Sequence, residues 1–253
     1  MMVVSALYTQ YTYIHYNTDF VSISNDPFTK RELETCIRPL SNHKAVGSDN
    51  VSIEHLKATF HLLGDYWTSL FNSLFMGSEF PASWKVSVLK MLYNRTGSRE
   101  NQDSYRGIAI SNHTYKHFST LLTRRLISFG ELVLPDSQHG FRPMRSTNTA
   151  LKIVKDIIFT MIWTSYGHAY GIFVDFRKTF GTTHRDILLH KLRNYFLMHG
   201  PILNMITKVL SSNYIRISNG VSLSNVITQL VSVPQGDPLS PVIFSLFVAD
   251  VER

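Results

Sequence analysis

The sequence predicts an α+β fold in which helices flank a small antiparallel sheet. Apolar residues recur at helical spacing in several stretches, for example in residues 115–126. Short runs rich in β-branched and aromatic residues, such as 86–92 and 214–218, indicate strands, and Asn219-Gly220 after the second run is a strong hairpin-turn signal. At 253 residues the chain is long enough to bury a large core as one or two domains.

The first predicted helix begins at a capping box. Thr29 and Glu32 have the spacing at which a threonine side chain and a glutamate side chain each bond the other residue's backbone N–H. Leu33 and Cys36 then mark one apolar face. The stretch before this helix, residues 1–27, carries no motif, and we interpret it as an N-terminal extension.

Two helices, a strand and a longer helix are expected next. Residues 53–78 predict two helices and residues 86–92 a strand. The longer helix ends near Gly130 and carries His113 and His117, four residues apart. Histidines at this spacing can share a metal ion, but no acidic or cysteine partner is nearby, so we expect both on the surface.

Two further helices have apolar faces. The stretch 149–163 predicts a helix with Ile153, Ile157 and Met161 on one face. Near the end of the chain, Ser240 is a candidate cap for an apolar core helix over 242–248.

Overall composition favours a polyanionic partner. The formal net charge is +7, and residues 85–145 hold ten Lys and Arg against four Asp and Glu. A solvated basic face is the alternative interpretation. The single cysteine, Cys36, excludes an intrachain disulfide and a cysteine-based zinc site. With no apolar run of spanning length and no Lys or Arg before residue 30, we expect an intracellular protein, nuclear or cytoplasmic, without a membrane contact.

Residues 171–180, which read GIFVDFRKTF, predict a short buried strand that ends in a carboxylate. Residues 172–174 form the strand and Asp175 follows it directly. A buried carboxylate is costly unless it is paired or bound to a metal. Asp175 therefore either caps the next segment, pairs with Arg177, or binds a metal ion.

A second block, residues 233–241, reads VPQGDPLSP and predicts a tight loop that opens a buried helix. Gly236 allows close backbone approach, and Gln235 is the polar side chain of the loop.

The two blocks together resemble the reverse transcriptases of non-LTR (LINE-like) retrotransposons, in which F-x-D-F-x-K-A-F-D precedes Q-G-x-x-L-S-P at a similar distance. Residues 103–108, DSYRGI, are similar to a third family block, and residues 138–147, QHGFRPMRST, to a fourth, Q-x-G-F-R-x-G-R-S-T. Met144, Thr179 and Gly181 depart from the family residues Gly, Ala and Asp.

The resemblance implies a right-hand polymerase fold with fingers and an incomplete palm. It places the fingers in residues 28–165, parts of the palm in 166–184 and 234–253, and a connection with a hairpin in 185–233. The thumb and the catalytic F/Y-A-D-D hairpin are expected to be absent from this chain.

The resemblance also implies site residues and partners. Asp175 would be catalytic and would bind Mg²⁺ together with the Phe176 carbonyl. The nucleotide-binding residues would be Arg106, Phe180, Gln235 and Gly236, and the nucleic-acid-binding residues Arg142, Arg145 and Lys178. Implied partners are an RNA template, a DNA primer and deoxynucleotides. For Arg106, an ion pair with Asp103 is the alternative to a phosphate contact.

We therefore expect a fragment of an RNA-directed DNA polymerase that is inactive in isolation. One carboxylate does not hold two Mg²⁺ ions, and Asp250 lies too close to the second block to belong to the missing hairpin. The alternatives are a non-catalytic nucleic-acid-binding module and an inert relic. An incomplete palm also predicts an exposed apolar face and poor solubility.

Overall fold

The computed structural model describes residues 23–164, 168, 170–171, 173–176, 179–211, 214–229, 232–233 and 236–251. Most of the expected N-terminal extension lies outside these ranges, as do two predicted site residues, Lys178 and Gln235.

Helices and a small sheet make up the described chain, in agreement with the predicted combination. The helices are α1 (Lys30–Ile37), α2 (Ile53–Phe75), α3 (His113–Val133), α4 (Thr147–Thr164), α5 (Arg185–His190), α6 (Gly200–Ser211) and α7 (Leu239–Phe247). The strands are β1 (Val86–Tyr93), β2 (Tyr105–Ile110), β3 (Tyr214–Ser218) and β4 (Ile227–Thr228).

The start of α1 confirms the predicted capping box. The Thr29 hydroxyl accepts a hydrogen bond from the Glu32 N–H at 3.2 Å, and Glu32 Oε2 accepts one from the Thr29 N–H at 2.7 Å. Leu33 and Cys36 are buried, as their spacing predicts. Local bonds between neighbouring residues thus fix where α1 begins.

α2 is one helix of 23 residues, so the prediction of two helices was wrong. Gly64, in its middle, is buried beneath Lys30: a β-carbon at this position would lie 2.7 Å from the lysine Cε. Glycine inside a helix costs about 1 kcal/mol. Phe60 and Phe71, on either side of it, pack into the same core, and their burial outweighs that cost.

α3 runs through the centre of the core. The Phe118 ring lies 5.3–6.1 Å, between centroids, from the rings of Phe28, Phe71, Phe80 and Trp84. α1, α2 and α7 all pack against this helix. The aromatic cluster therefore joins α3 to α2 and to the segments before α1 and β1.

The four strands form a mixed sheet in the order β2-β1-β3-β4, which corrects the expectation of an antiparallel sheet. β1 is antiparallel to β2 but parallel to β3, and β3 is antiparallel to β4. A parallel pair needs a long crossover, and α3 to α6 supply it between β1 and β3. The predicted hairpin turn is confirmed: the Asn219 N–H donates to the Ser222 carbonyl, and Gly220 has a φ of +94°.

The predicted buried strand before Asp175 is not part of this sheet. Of its residues, Ile172 lies outside the described ranges, while Phe173 and Val174 expose 67% and 43% of their surfaces. Periodicity predicted a buried strand, but burial also needs a neighbouring layer, and no described element covers these side chains.

Candidate nucleotide and nucleic-acid interface

The Asp175 side chain is exposed. The expected cost of burying its charge therefore does not arise. The neighbouring Phe176 carbonyl, expected as a second metal ligand, accepts a hydrogen bond from the Thr179 hydroxyl at 3.1 Å. Among the described residues, no group of three or more His, Cys, Asp or Glu side chains is arranged to hold a metal ion.

Phe180 joins the two sequence blocks. Its carbonyl accepts a hydrogen bond from the Val233 N–H at 2.9 Å, directly before the second block's loop. Its partly buried ring lies 6.0 Å from the Phe141 ring and 5.6 Å from the Phe244 ring of α7, between centroids. The loop after Asp175 is thus held against the second block and against α7.

Gly236 brings the second block against β2. Its φ is +104°, a conformation that favours glycine. A β-carbon here would lie 3.2 Å from the Ala109 carbonyl oxygen and 3.5 Å from the Ile108 side chain. Arg106 lies on the same strand, three residues earlier, and is exposed. Both interpretations of Arg106, phosphate contact and pairing with Asp103, remain predictions.

Asp237 is a buried carboxylate that sequence reasoning missed. Its Oδ1 accepts hydrogen bonds from the Ser119 hydroxyl of α3 at 2.5 Å and from the Leu239 N–H at 2.8 Å. Burial raises the pKa of Asp237, and burial together with this carboxylate raises the pKa of Tyr115 well above its usual value. Asp237 therefore anchors the loop of the second block to α3.

The same contact corrects the predicted cap of the last helix. α7 begins at Leu239, so Ser240 lies inside the helix, and the Asp237 carboxylate accepts a hydrogen bond from the first N–H of the helix, that of Leu239. An aspartate directly before Pro and the apolar run was the signal that could have identified this cap. The second block thus contains a structural acid next to its predicted nucleotide-binding residues.

Arg142 has a structural role in place of the expected nucleic-acid contact. Its guanidinium is buried and donates to both carboxylate oxygens of Glu131, at 3.0 and 3.1 Å. It also donates to the carbonyls of Leu134, Pro135 and Gln138. Because these bonds occupy the guanidinium inside the protein, it is not presented to a nucleic-acid backbone.

Arg145 lies nearer the surface and is paired with an exposed partner. Its guanidinium donates to the Asp136 carboxylate at 2.7 Å and to the Asp136 carbonyl. Between the two arginines, Met144 has a φ of +58° and is 99% exposed. Met144 stands where the family motif has glycine, and it adopts a left-handed conformation that is sterically unfavourable for a residue with a side chain.

His113 and His117 are buried, so the expectation of surface histidines was wrong. His113 Nδ1 bonds the Val51 carbonyl at 2.9 Å, and His117 Nε2 bonds the Leu33 carbonyl at 2.8 Å. Burial lowers the pKa of His117 to about 4. Both rings serve as donors that connect α3 to chain segments far away in sequence.

Asp250 belongs to neither a helix nor a metal site in the described chain. It follows α7 in a turn, and its carboxylate pairs with the Lys191 ammonium at 2.5 Å. Its exclusion as the missing catalytic carboxylate stays a prediction.

Residues 97–253 match a family model described as reverse transcriptase (RNA-dependent DNA polymerase). The probable RNA-directed DNA polymerase from transposon BS of Drosophila melanogaster is 28% identical over 91% of this chain and 25% of its own length. The RNA-directed DNA polymerase from mobile element jockey of the same species is 26% identical over 91% and 25%.

A bacterial protein is also similar. The group II intron-encoded protein LtrA of Lactococcus lactis subsp. cremoris is 26% identical over 62% of this chain and 24% of its own length. The chain spans about a quarter of the length of these relatives. No helix within the described ranges has the length and apolar character needed to cross a membrane.

Proposed function

The chain belongs to the reverse transcriptase (RNA-dependent DNA polymerase) family, and from this premise we propose that it forms the part of a retrotransposon RNA-directed DNA polymerase that holds the incoming nucleotide and the nucleic acid. One observation carries the proposal. Gly236 lies against β2, the strand of Arg106, while Phe180 bonds Val233 just before the same loop. Three family blocks, distant in sequence, thereby meet at one place.

Each block brings a different chemical group to this place. Arg106 would bind phosphate oxygens of a deoxynucleotide, because its planar fork of donors matches them. Phe180 would present the bulky side chain that rejects a ribose 2′-hydroxyl. Gly236 and the neighbouring Gln235 would line the nucleotide and template pocket, and Asp237 would hold that loop on α3.

The described residues do not supply the metal ligands that the family's chemistry needs. Reverse transcriptases use divalent metal ions, and two such ions need several oxygen ligands. Asp175 is exposed, and no group of three candidate ligands occurs in the part of the chain that the structure describes. Asp175 and the Phe176 carbonyl would contribute to such a site only with further ligands. We therefore propose that this polypeptide alone does not extend a primer.

The domain assignment follows the family resemblance. Residues 28–165 would form the fingers, 166–184 and 234–253 parts of the palm, and 185–233 their connection. Arg145 and Lys178 would contact nucleic acid, with Arg145 first leaving Asp136.

Nucleotide binding is the experiment that tests the proposal. We would titrate the chain, with an RNA–DNA primer–template present, with a fluorescent deoxynucleotide at ~50 mM salt, where electrostatic contacts are strong. Arg106→Gln should weaken binding about 10- to 150-fold, because a hydrogen bond to a charged group contributes about 1.5–3 kcal/mol. Arg31→Gln, an equal change of charge on the exposed side of α1, is the matched control.

Two results would contradict the proposal. The first is no binding of nucleotide or primer–template by the unmodified chain at low salt. The second is an equal effect of Arg106→Gln and Arg31→Gln. Replacing Phe180 with Ala should, in the same titration, reduce the preference for deoxynucleotides over ribonucleotides.

Primer extension tests the proposed lack of activity. We expect no extension by the isolated chain with Mg²⁺, deoxynucleotides and a primed RNA template. Extension that depends on Mg²⁺ and disappears with Asp175→Asn would show that the chain completes the metal site by itself.

A non-catalytic nucleic-acid-binding module is the second candidate function. The net charge of +7 favours it, together with the lack of a candidate metal cluster in the described residues. The two functions differ in nucleotide binding. A non-catalytic module would bind RNA in a salt-dependent way, and Arg106→Gln would not change its affinity for a deoxynucleotide.

A further inference from the structure

The sheet carries a charge pattern that the family motifs do not describe. Within β1, β2, β3 and β4, the charged residues are Lys90, Arg106 and Arg216, and all three are cations. Each comes from a different strand. No acidic side chain lies within these strands to neutralise them.

Strand register puts the three cations on one face. Arg106 lies opposite Leu92, and Arg216 lies opposite Val88. Leu92, Lys90 and Val88 are alternate residues of β1, and alternate residues point to the same side of a sheet. Residues directly opposite one another also share a face. Lys90 therefore lies between the two arginines on a common surface, which we call the cationic face.

The three positions form a diagonal line. Moving from Arg106 to Lys90, or from Lys90 to Arg216, crosses one strand and advances two residues. With strands about 4.8 Å apart and about 3.3 Å per residue, each step measures ~8 Å. The line is thus on the order of 16 Å long. That length exceeds the triphosphate of one nucleotide and suits successive phosphates of a polymer.

The side chains on this line differ in how they are held. Lys90 and Arg106 are exposed, whereas Arg216 is half-buried. Arg216 Nε donates to the Ser224 carbonyl at 2.9 Å, a bond that uses none of its Nη donors. This bond fixes the direction of the guanidinium, so that less side-chain freedom is lost when it binds an anion.

The cationic face adjoins the candidate nucleotide site. Ile108 lies opposite Lys90 on this face, and its side chain is the one that approaches Gly236. Tyr214 lies on the same face, two residues before Arg216, and is exposed. An exposed aromatic ring beside a row of cations can stack on an unpaired base.

We propose that Lys90 and Arg216 bind the phosphates of a single nucleic-acid strand that crosses the sheet diagonally toward Arg106, which holds the nucleotide, and the Gly236 loop. The inference rests on the proposed function, since it assigns a path to the nucleic acid held there. It adds two binding residues, neither of which lies in a family block that the sequence identified.

Salt-dependent binding of a single strand tests this path. We would measure the anisotropy of a fluorescein-labelled, unstructured RNA 20-mer against the whole chain over a range of salt concentrations. Each phosphate contact that is lost lowers the slope of log K against log salt by ~0.7. Lys90→Gln and Arg216→Gln should each remove about one contact, and the double variant about two.

Control variants separate charge from folding. Arg31→Gln removes one positive charge on α1, which packs against α2 and α3, and should leave the slope unchanged. Arg216→Lys keeps the charge but replaces the group that bonds Ser224. Arg216→Lys should keep the wild-type slope, because the positive charge that binds phosphate is still present although the bond to Ser224 is lost. Far-ultraviolet circular dichroism would verify that each variant is folded.

The outcomes distinguish this inference from the proposed function. A double variant that binds RNA with the wild-type slope would overturn the diagonal path, while an effect of Arg106→Gln on deoxynucleotide binding would still support the proposed function. Equal losses from Arg31→Gln and Arg216→Gln would also overturn it, because binding would then depend only on total charge. An unmodified chain that binds no RNA would overturn both.

Discussion

Helices α3 and α4 are comparable in length and apolar content, yet α3 is largely buried and the described part of α4 is at most half-buried on any side. α3 has 21 residues, and its buried side chains extend around the helix, from His113 to Phe129. α4 has 18 residues, and none of its described side chains is buried. Phe159 and Trp163, for example, are 65% and 74% exposed.

The difference lies in what packs against each helix. α3 has α1, α2 and α7 around it, and its polar residues bond those neighbours or their flanking loops. The apolar stripe of α4, including Ile153 and Ile157, has no comparable covering layer among the described residues. An apolar pattern therefore means that burial of a helix face would be stabilising, and the presence of a neighbouring element decides whether the face is buried.

Removing one aromatic ring from each helix should give the largest difference in stability between variants of α3 and α4. Phe118→Ala in α3 should lower the free energy of unfolding by about 3–5 kcal/mol, because a fully buried ring leaves a cavity. Phe159→Ala in α4 should change it by less than about 1 kcal/mol. Urea unfolding measures both values. Similar losses for the two variants would mean that α4 is covered by another layer.

Acidification should destabilise the protein through α3. Burial lowers the pKa of His117 to about 4 from 6.5. Between these pH values the unfolded chain therefore binds a proton at this histidine and the folded chain does not. The free energy of unfolding should therefore fall as pH drops from 6.5 towards 4, by at most about 3 kcal/mol in total. Urea unfolding at several pH values across this window checks the expectation.

A matched pair of histidine variants identifies the source of that loss. His117→Gln should flatten the decline between pH 6.5 and 4. His61→Gln, on the exposed side of α2, should leave it as steep as in the unmodified protein. A decline that persists unchanged in His117→Gln would assign the pH dependence to other groups.

The two arginines between α3 and α4 should differ in their effect on stability. Arg142→Gln should cost about 2 kcal/mol, because Glu131 and the carbonyls of the connecting loop lose their buried donor. Arg145→Gln removes an ion pair with an exposed carboxylate and should cost less than about 1 kcal/mol. Urea unfolding of both variants provides the measurement, and a reversed order would show that Arg145 is the structural residue.

The smallest expected effect is a gain in stability before α4. Met144 has a φ of +58°, a conformation that costs an L-residue about 1 kcal/mol and costs glycine little. Met144→Gly should therefore raise the free energy of unfolding by up to about 1 kcal/mol. Met76→Gly is the control, because Met76 is exposed and has a φ of −81°. It should destabilise the protein, and a gain from both variants would exclude backbone strain as the cause.

Prediction from sequence succeeded where the signals were local. The Thr29–Glu32 capping box and the Asn219-Gly220 turn each depend on bonds between residues a few positions apart. The prediction of two helices in residues 53–78 failed, because the packing of Phe60 and Phe71 holds one continuous helix through Gly64.

The candidate site was predictable in part for the same reason. The sequence blocks identified Arg106, Phe180 and Gly236. The structure places Gly236 against Ala109 of the strand that carries Arg106, and the Phe180 carbonyl accepts a hydrogen bond from the Val233 N–H. Asp237 and the buried role of Arg142 were not predicted, because their partners, Ser119 and Glu131, are in separate segments of the chain. The roles of Gln235 and Lys178 remain predictions, since both lie outside the described residues.

The sequence by itself determined the family, the beginning of α1 and the turn between β3 and β4. Only the tertiary structure decided which apolar helix is buried, which arginine is structural and which side of the sheet is cationic. The physical reason is the range of the interactions. His117 bonds a carbonyl 84 residues away, and Ser119 bonds Asp237 118 residues away. Capping and turn signals are contained in a few consecutive residues, whereas burial and charge placement depend on partners that only the folded chain brings together.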